Sequence, residues 1–212
     1  MDVIAIKDNL KKYYNQEAGL RNSKSVKADW KVRVRAEFCD LIKQEHKKTL
    51  LELGAGAGYD SLFFMDNGLQ VVAIDLSSEM VRMCREKSIE TYELDYYDLS
   101  SLNKKFDCVY AINTLLHIPK DDLRHVLREI DRVLNANGLF YMGLYGGKDT
   151  ESELVKTEVS DAPRFYALHS ANYLKDTLKD YFEIINFETL DVEPNAEMDI
   201  FHSITLRKIG GD

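Results

Sequence analysis

Leu51-Glu-Leu-Gly-Ala-Gly-Ala-Gly58, followed further on by the apolar run Val71-Val-Ala-Ile74 and then Asp75, decides the fold of this chain. Thr49 to Leu53 is short and apolar, as a buried parallel strand is. Gly54, Gly56 and Gly58 then let the backbone turn sharply and approach a ligand. Asp75 ends the next strand. That sets a carboxylate beside the glycine loop, where it can accept both hydroxyls of a ribose, as in dinucleotide-binding folds with an acid about 20 residues on. The stretch reads as a nucleotide-binding βαβ unit.

Two details bear on which nucleotide it holds. Tyr59 stands where a G-x-G-x-x-G dinucleotide fingerprint has its third glycine, the one used for close helix–strand packing. Glu52 places a carboxylate at the mouth of the loop, where it repels a pyrophosphate but suits a ligand with an ammonium, a sulfonium and no phosphate. S-adenosylmethionine is such a ligand. A lone glycine-rich loop is also compatible with any strand-to-helix turn, so the pattern counts only in combination. From Leu50 to Leu144 the chain resembles the class I S-adenosylmethionine-dependent methyltransferases, whose first motif has the form E-x-G-x-G-x-G and whose second is an acid ending strand two.

The 212 residues, 45% hydrophobic and 30% charged, suit one sizeable α/β domain with a full core and a small cap. A net charge of −8 argues against a nucleic-acid partner, because phosphate binding draws on clustered Lys and Arg. Basic runs such as Lys43 with Lys47 and Lys48 have acids beside them and read as a solvated face. Neither a signal-peptide pattern nor an apolar run near the ~18 residues that span a bilayer is present, so a cytoplasmic protein without a membrane partner is expected. Cys39, Cys84 and Cys108 lack metal spacing and sit in apparently regular elements, which predicts buried free thiols and no metal site.

Residues 1–46 read as an N-terminal helical cap or lid, 47–208 as the cofactor-binding domain and 209–212 as a frayed tail. Val26, Trp30, Val34, Phe38, Leu41 and Ile42 recur at helical spacing. A short helix is expected over Ile6 to Tyr14, with Asn15 to Ser25 as a polar joint. Strand and helix then alternate: Thr49 to Leu53, a helix from about Asp60, Leu69 to Ile74, a helix from Ser78 capped by Ser77 or Ser78, Glu90 to Leu94, and Cys108 to Ile112. That rhythm means a doubly wound, mostly parallel sheet. Pro119 is placed at the start of the next helix, with Leu123, Val126, Leu127, Ile130, Val133 and Leu134 on its apolar stripe and Asn135-Ala-Asn-Gly138 as its stop. Leu139 to Leu144 follows as the fifth strand, and Gly146-Gly147 opens a long polar connection to about Arg164. Ser170 to Asp180 reads as a helix. Phe182 to Leu190 and Ile200 to Arg207 then read as two strands joined at Pro194-Asn195, adjacent and therefore antiparallel. A seven-stranded sheet whose last strand is antiparallel is what the methyltransferase resemblance implies.

By the same resemblance Gly54, Ala55 and Gly56 lie under the methionine part of the cofactor, Glu52 faces its amino group through water, and Asp75 takes the ribose hydroxyls. Met80, in Asp75-Leu-Ser-Ser-Glu-Met80, resembles the residue that covers the adenine, and Leu76 in the same run is a further cofactor-binding candidate. Met80 reads equally well as a core methionine. Asp95-Tyr96 resembles the position where a carboxylate takes the adenine amine, and Asp95 could instead cap a turn. Ala111, opening Ala111-Ile-Asn-Thr-Leu-Leu-His117-Ile-Pro119, contributes backbone groups beside the methionine moiety. His117 is the candidate catalytic base, with a helix-capping or packing histidine as the alternative. Tyr13, Tyr14, Tyr145, Phe165 and Tyr166 fall in the segments expected to flank the acceptor, where aromatic rings favour a sulfonium and exclude water. The expected activity is methyl transfer from S-adenosylmethionine to a small-molecule acceptor by a monomer or homodimer. An RNA or protein methyltransferase, an NAD(P)-dependent dehydrogenase and a non-catalytic cofactor-binding protein are the alternatives.

Overall fold

The computed structural model describes residues 2–23, 28–155, 158–192 and 198–210. Thr49–Leu53 (β1) pairs in parallel with Gln70–Asp75 (β2) on one side and Phe106–Ile112 (β4) on the other. Strands buried on both faces need near-continuous apolar sequence, and these three have it. Glu90–Glu93 (β3) and Leu134–Gly146 (β5) extend the parallel sheet outward. Ile200–Lys208 (β9) then inserts antiparallel between β5 and Phe182–Asp191 (β8), giving the order β3-β2-β1-β4-β5-β9-β8. The order reverses between β1 and β4. In such sheets the crevice at the carboxyl ends of the strands flanking the reversal receives the ligand.

Helices cover both faces. Leu51, Leu53, Val109, Phe140 and Met142 pack against Leu123–Val133 (α5) and Ala171–Leu178 (α6). Leu50, Val71, Cys108, Tyr110 and Tyr141 point the other way, onto Asp29–Gln44 (α2) and Tyr59–Asp66 (α3). The period-2 alternation of β1 thus splits into two cores, with α2 built into one of them. Ser78–Glu86 (α4) begins as expected, with Ser77 accepting the Met80 amide at 3.2 Å. Cys39, Cys84 and Cys108 are buried free thiols within these packing layers. No described helix is long and apolar enough to cross a membrane.

Four expectations are corrected. Val3–Ser23 (α1) is one unbroken helix through the segment read as a joint. It continues because Asn15 finds tertiary partners, accepting the Ser77 hydroxyl at 2.6 Å and the Glu79 amide at 3.2 Å, and because Glu17 and Arg21 pair one turn apart. Pro119 lies in a turn, its carbonyl accepting the Asp122 amide at 2.9 Å, and α5 begins only at Leu123. Asn135-Ala-Asn-Gly138 is a bulge at the start of β5: pairing jumps from Phe106–Leu134 to Cys108–Leu139, with Asn137 in left-handed geometry. The connection after Gly147 carries a two-stranded antiparallel sheet, Thr150–Leu154 (β6) against Arg164–Leu168 (β7). Phe165 and Ala167 of β7 pack on Ile6 and Leu10 of α1, which anchors this flap. Val26 and the Pro194-Asn195 turn lie outside the described residues.

Candidate active site

The glycine loop is held from below. The amides of Gly54 and Ala55 both donate to the Ile74 carbonyl, at 2.9 and 3.1 Å, tying the loop to the end of β2. Gly54, Gly56 and Gly58 have φ of +67°, +55° and +81°, where a side chain is strained. A Cβ on Gly54 would collide with Thr114 from the segment after β4, and one on Gly58 would come within 2.6 Å of Ile89. At Gly56, which lines the cavity, it would meet nothing within 4 Å. Backbone here is therefore exposed to a ligand that can come closer than a side chain permits. Glu52 is buried and accepts the Ser61 hydroxyl.

Asp75 faces the same loop. One carboxylate oxygen accepts the Gly56 amide at 2.8 Å and the other the Ser77 amide at 2.9 Å. Burial raises its pKa, opposed by these two bonds and by Arg21. Asp95, after β3, accepts the Tyr97 amide at 2.7 Å and pairs with Lys7 of α1 at 2.8 Å. Burial pushes the Tyr96 phenol well above its ordinary range. Glu52, Gly54, Ala55, Gly56, Asp75, Leu76, Met80, Asp95 and Tyr96 all line one cavity of about 450 Å³ at the carboxyl ends of β1 to β4. Ala111 does not: it is central in the sheet, paired with Leu53 and Met142, and the cavity wall begins one residue later at Ile112.

Above the loop the roof is polar and aromatic. His117 lies in the turn after β4, buried, with Nδ1–H donated to the Phe165 carbonyl at 2.7 Å. Its Nε2 is then an acceptor and takes the Tyr14 hydroxyl, also at 2.7 Å. Burial is the main reason its pKa falls to about 4, with Arg164 and Arg21 adding to the fall and the Phe165 bond opposing it. Of the five aromatic residues expected around the acceptor, Tyr14 alone lines the cavity. Tyr13 is buried edge-on to Tyr14, Tyr166 packs 5.0 Å from the His117 ring, Phe165 is in the α1–flap core, and Tyr145 packs on Trp30 and Phe201.

Residues 50–138 match the family model for a methyltransferase domain. Over that stretch the chain is similar to the methyltransferase family, and it shares the fold of solved S-adenosylmethionine-dependent methyltransferases. It is 26% identical over 152 residues to an uncharacterized methyltransferase of Alkaliphilus oremlandii, covering 70% of this chain and 67% of that one. It is 29% identical over 126 residues to a glycine/sarcosine N-methyltransferase of Parasynechococcus marenigrum, covering 54% of this chain and 45% of the relative, so it spans under half of that protein. The crystal structure of the Burkholderia thailandensis 1,6-didemethyltoxoflavin-N1-methyltransferase, with its acceptor and S-adenosylhomocysteine, shares the fold at a TM-score of 0.71 and 16% identity, over 98% of this chain and 88% of that one.

The cavity fits S-adenosylmethionine on its own geometry: an open glycine cradle and acids at the ends of β1, β2 and β3. Among the described residues no group of three or more His, Cys, Asp or Glu side chains is placed to hold a metal ion. Several lining residues are additional to those picked from sequence. Lys7, Leu10, Glu17 and Arg21 join the expected Tyr14 in one stripe of α1 at alternating spacings of three and four, a signal present in the sequence but hidden by its charged members. Asn113 and Thr114 come from the segment after β4, and Asn113 stands in left-handed geometry with its buried Oδ1 lacking a protein partner among the described residues.

Proposed function

We propose that this protein transfers the methyl group of S-adenosylmethionine to a small-molecule acceptor. The observation that carries the reading is the convergence of the glycine loop, Asp75 and Asp95 on the cavity that Tyr14 and His117 roof. Gly54, Ala55 and Gly56 would run under the methionine part, with Glu52 toward its amino group. Asp75 would take the ribose hydroxyls, and Leu76, Met80, Asp95 and Tyr96 would enclose the adenine. Bound there, the cofactor supplies a methyl group already activated by its sulfonium.

The protein's share is then to align the acceptor, exclude water and accommodate a proton. Tyr14 lines the cavity while its hydroxyl proton is held by His117 Nε2. A histidine with a pKa near 4 is neutral at physiological pH and a weak base, which favours a role in orienting Tyr14 over direct proton abstraction. The small acceptor is supported by the relatives whose names specify one, and by the acidic composition, which disfavours a nucleic acid. Separate calorimetric titrations with S-adenosylhomocysteine and NADH test the reading. Binding of the former alone is expected, and binding of NADH alone overturns it.

A further inference from the structure

The cavity has two electrical ends. Glu52, Asp75 and Asp95 make one acidic, as a ligand with an ammonium and a sulfonium requires. Around Tyr14 the balance is reversed. Arg21 lines the cavity with its guanidinium carbon 4.9 Å from the Tyr14 ring centroid. Arg164, on β7 and one layer behind the cavity lining, stacks 4.3 Å from Tyr13 and 5.2 Å from Tyr166, the two rings that flank the Tyr14–His117 pair, and acts on the Tyr14 hydroxyl.

Glu17 is the carboxylate packed among these groups, and it is already engaged by Arg21 and by the Tyr13 hydroxyl at 3.3 Å. Arg164 forms no ion pair with a described carboxylate, and its buried Nε has no hydrogen-bond partner among the described residues. A half-buried guanidinium without a counter-ion is costly to maintain unless something else supplies the negative charge. Arg21 is balanced by Glu17 and lies within electrostatic reach of Asp75, so the uncompensated charge beside the tyrosine rings is that of Arg164, which repels a protonated amine and attracts an oxyanion that a guanidinium fork matches in shape.

We propose that the methyl acceptor carries a carboxylate or phosphonate-type oxyanion, received on the Arg21 and Arg164 side of Tyr14. This inference rests on the methyltransferase reading above. It gives the acceptor pocket a substrate class and makes the two arginines its specificity-determining residues. Their charge also lowers the proton affinity of His117, so the roof stays neutral while an anion is held beside it.

The test uses the full chain, with and without saturating S-adenosylhomocysteine, and a matched series of probes: benzoate, phenylphosphonate, benzamide and benzylamine. Ligand-observed NMR and calorimetry are expected to detect the two anions and not the amide or the amine, and the stronger anion identifies the preferred oxyanion. Arg164→Met and Arg21→Gln are each expected to weaken the anion about tenfold or more, the loss of one charge-assisted contact, while Arg164→Lys retains part of the affinity. Equal binding of benzamide or benzylamine, no anion binding, or undiminished anion binding in both variants overturns the inference. So does an Arg21→Gln variant that loses S-adenosylhomocysteine but keeps 5′-methylthioadenosine, because the cation then serves the cofactor's own carboxylate. Failure of S-adenosylhomocysteine to bind the unaltered protein strikes the methyltransferase reading itself. Cofactor binding without an anion preference strikes this inference alone.

Discussion

The phenolic oxygen of Tyr14 lies 2.7 Å from Nε2 of His117, joining the first helix of the chain to the turn after β4, and His117 passes the link on to the flap through Phe165. Three segments distant in sequence thus close over the cavity through one neutral imidazole. The tautomer follows from the carbonyl at Nδ1, which accepts and cannot donate.

That tautomer is directly measurable. The imidazole nitrogens of His117 are expected to report Nδ1–H and an unprotonated Nε2 in NMR spectra from pH 8 down to about 5, because burial holds its pKa near 4. Tyr14→Phe removes the donor and leaves a buried acceptor unsatisfied, at a cost of about 1–3 kcal/mol. A chain of this length then melts several degrees lower. Titration of His117 near pH 6.5, or an unchanged melting temperature in the variant, would contradict the arrangement.

Asp75→Ala is expected to weaken S-adenosylhomocysteine binding about tenfold or more, since each charge-assisted hydrogen bond to the ribose contributes about 1.5–3 kcal/mol. The carboxylate also fastens Gly56 and Ser77, so the substitution loosens the loop as well. Asp75→Asn, which keeps an acceptor oxygen, should fall between the two. Isothermal titration ranks the three proteins, and equal dissociation constants would remove Asp75 from the cofactor site.

Stability should fall on acidification through two buried histidines. His117 and His169 each have a folded pKa near 4, below the ordinary value of 6.5. At His169 burial dominates, Lys120 and His202 add to the lowering, Asp149 opposes it, and both ring nitrogens lack partners among the described residues. The unfolded chain therefore takes up protons between pH 6.5 and 4 that the folded one does not. Each histidine then costs about 1.4 kcal/mol per pH unit in that window and nothing above it. Denaturant titrations at pH 7.5, 5.5 and 4.5 should show the loss, and His169→Phe should remove its share of the slope. A flat profile would mean that the histidines protonate in the folded protein.

Much of this was readable from sequence because the central strands are buried on both faces and so appear as apolar runs, and because the cofactor loop needs glycines and acids at fixed spacing. The flap was not readable, since Thr150 to Glu153 are exposed polar residues with no buried face to print a period. The roof stripe of α1 was missed for a related reason: Lys7, Glu17 and Arg21 face the cavity, so charge stands where an apolar position marks an inward face. Tyr13, Tyr145, Phe165 and Tyr166 lie in the expected segments, but sequence proximity cannot tell the ring that faces a cavity from the ring that packs behind it.

The glycine loop offers the sharpest separation of fold from function. Gly54→Ala forces a Cβ against Thr114 in left-handed geometry, so both strain and collision fall on the folded state. Loss of several kcal/mol or failure to fold is expected. Gly56→Ala meets no protein atom within 4 Å and bears only the left-handed strain, of the order of 1–2 kcal/mol, but its methyl projects where the cofactor would touch backbone. Gly56→Ala should therefore melt within several degrees of the unaltered protein while binding S-adenosylhomocysteine at least tenfold more weakly. Thr114→Ala in the Gly54→Ala background should recover part of the lost stability, because it removes the hydroxyl and methyl that the new Cβ strikes. Thermal melts and calorimetry on the three variants decide it: equal melting temperatures for the two single variants would contradict the collision at Gly54, and full cofactor affinity in Gly56→Ala would show that the ligand does not approach the loop at Gly56.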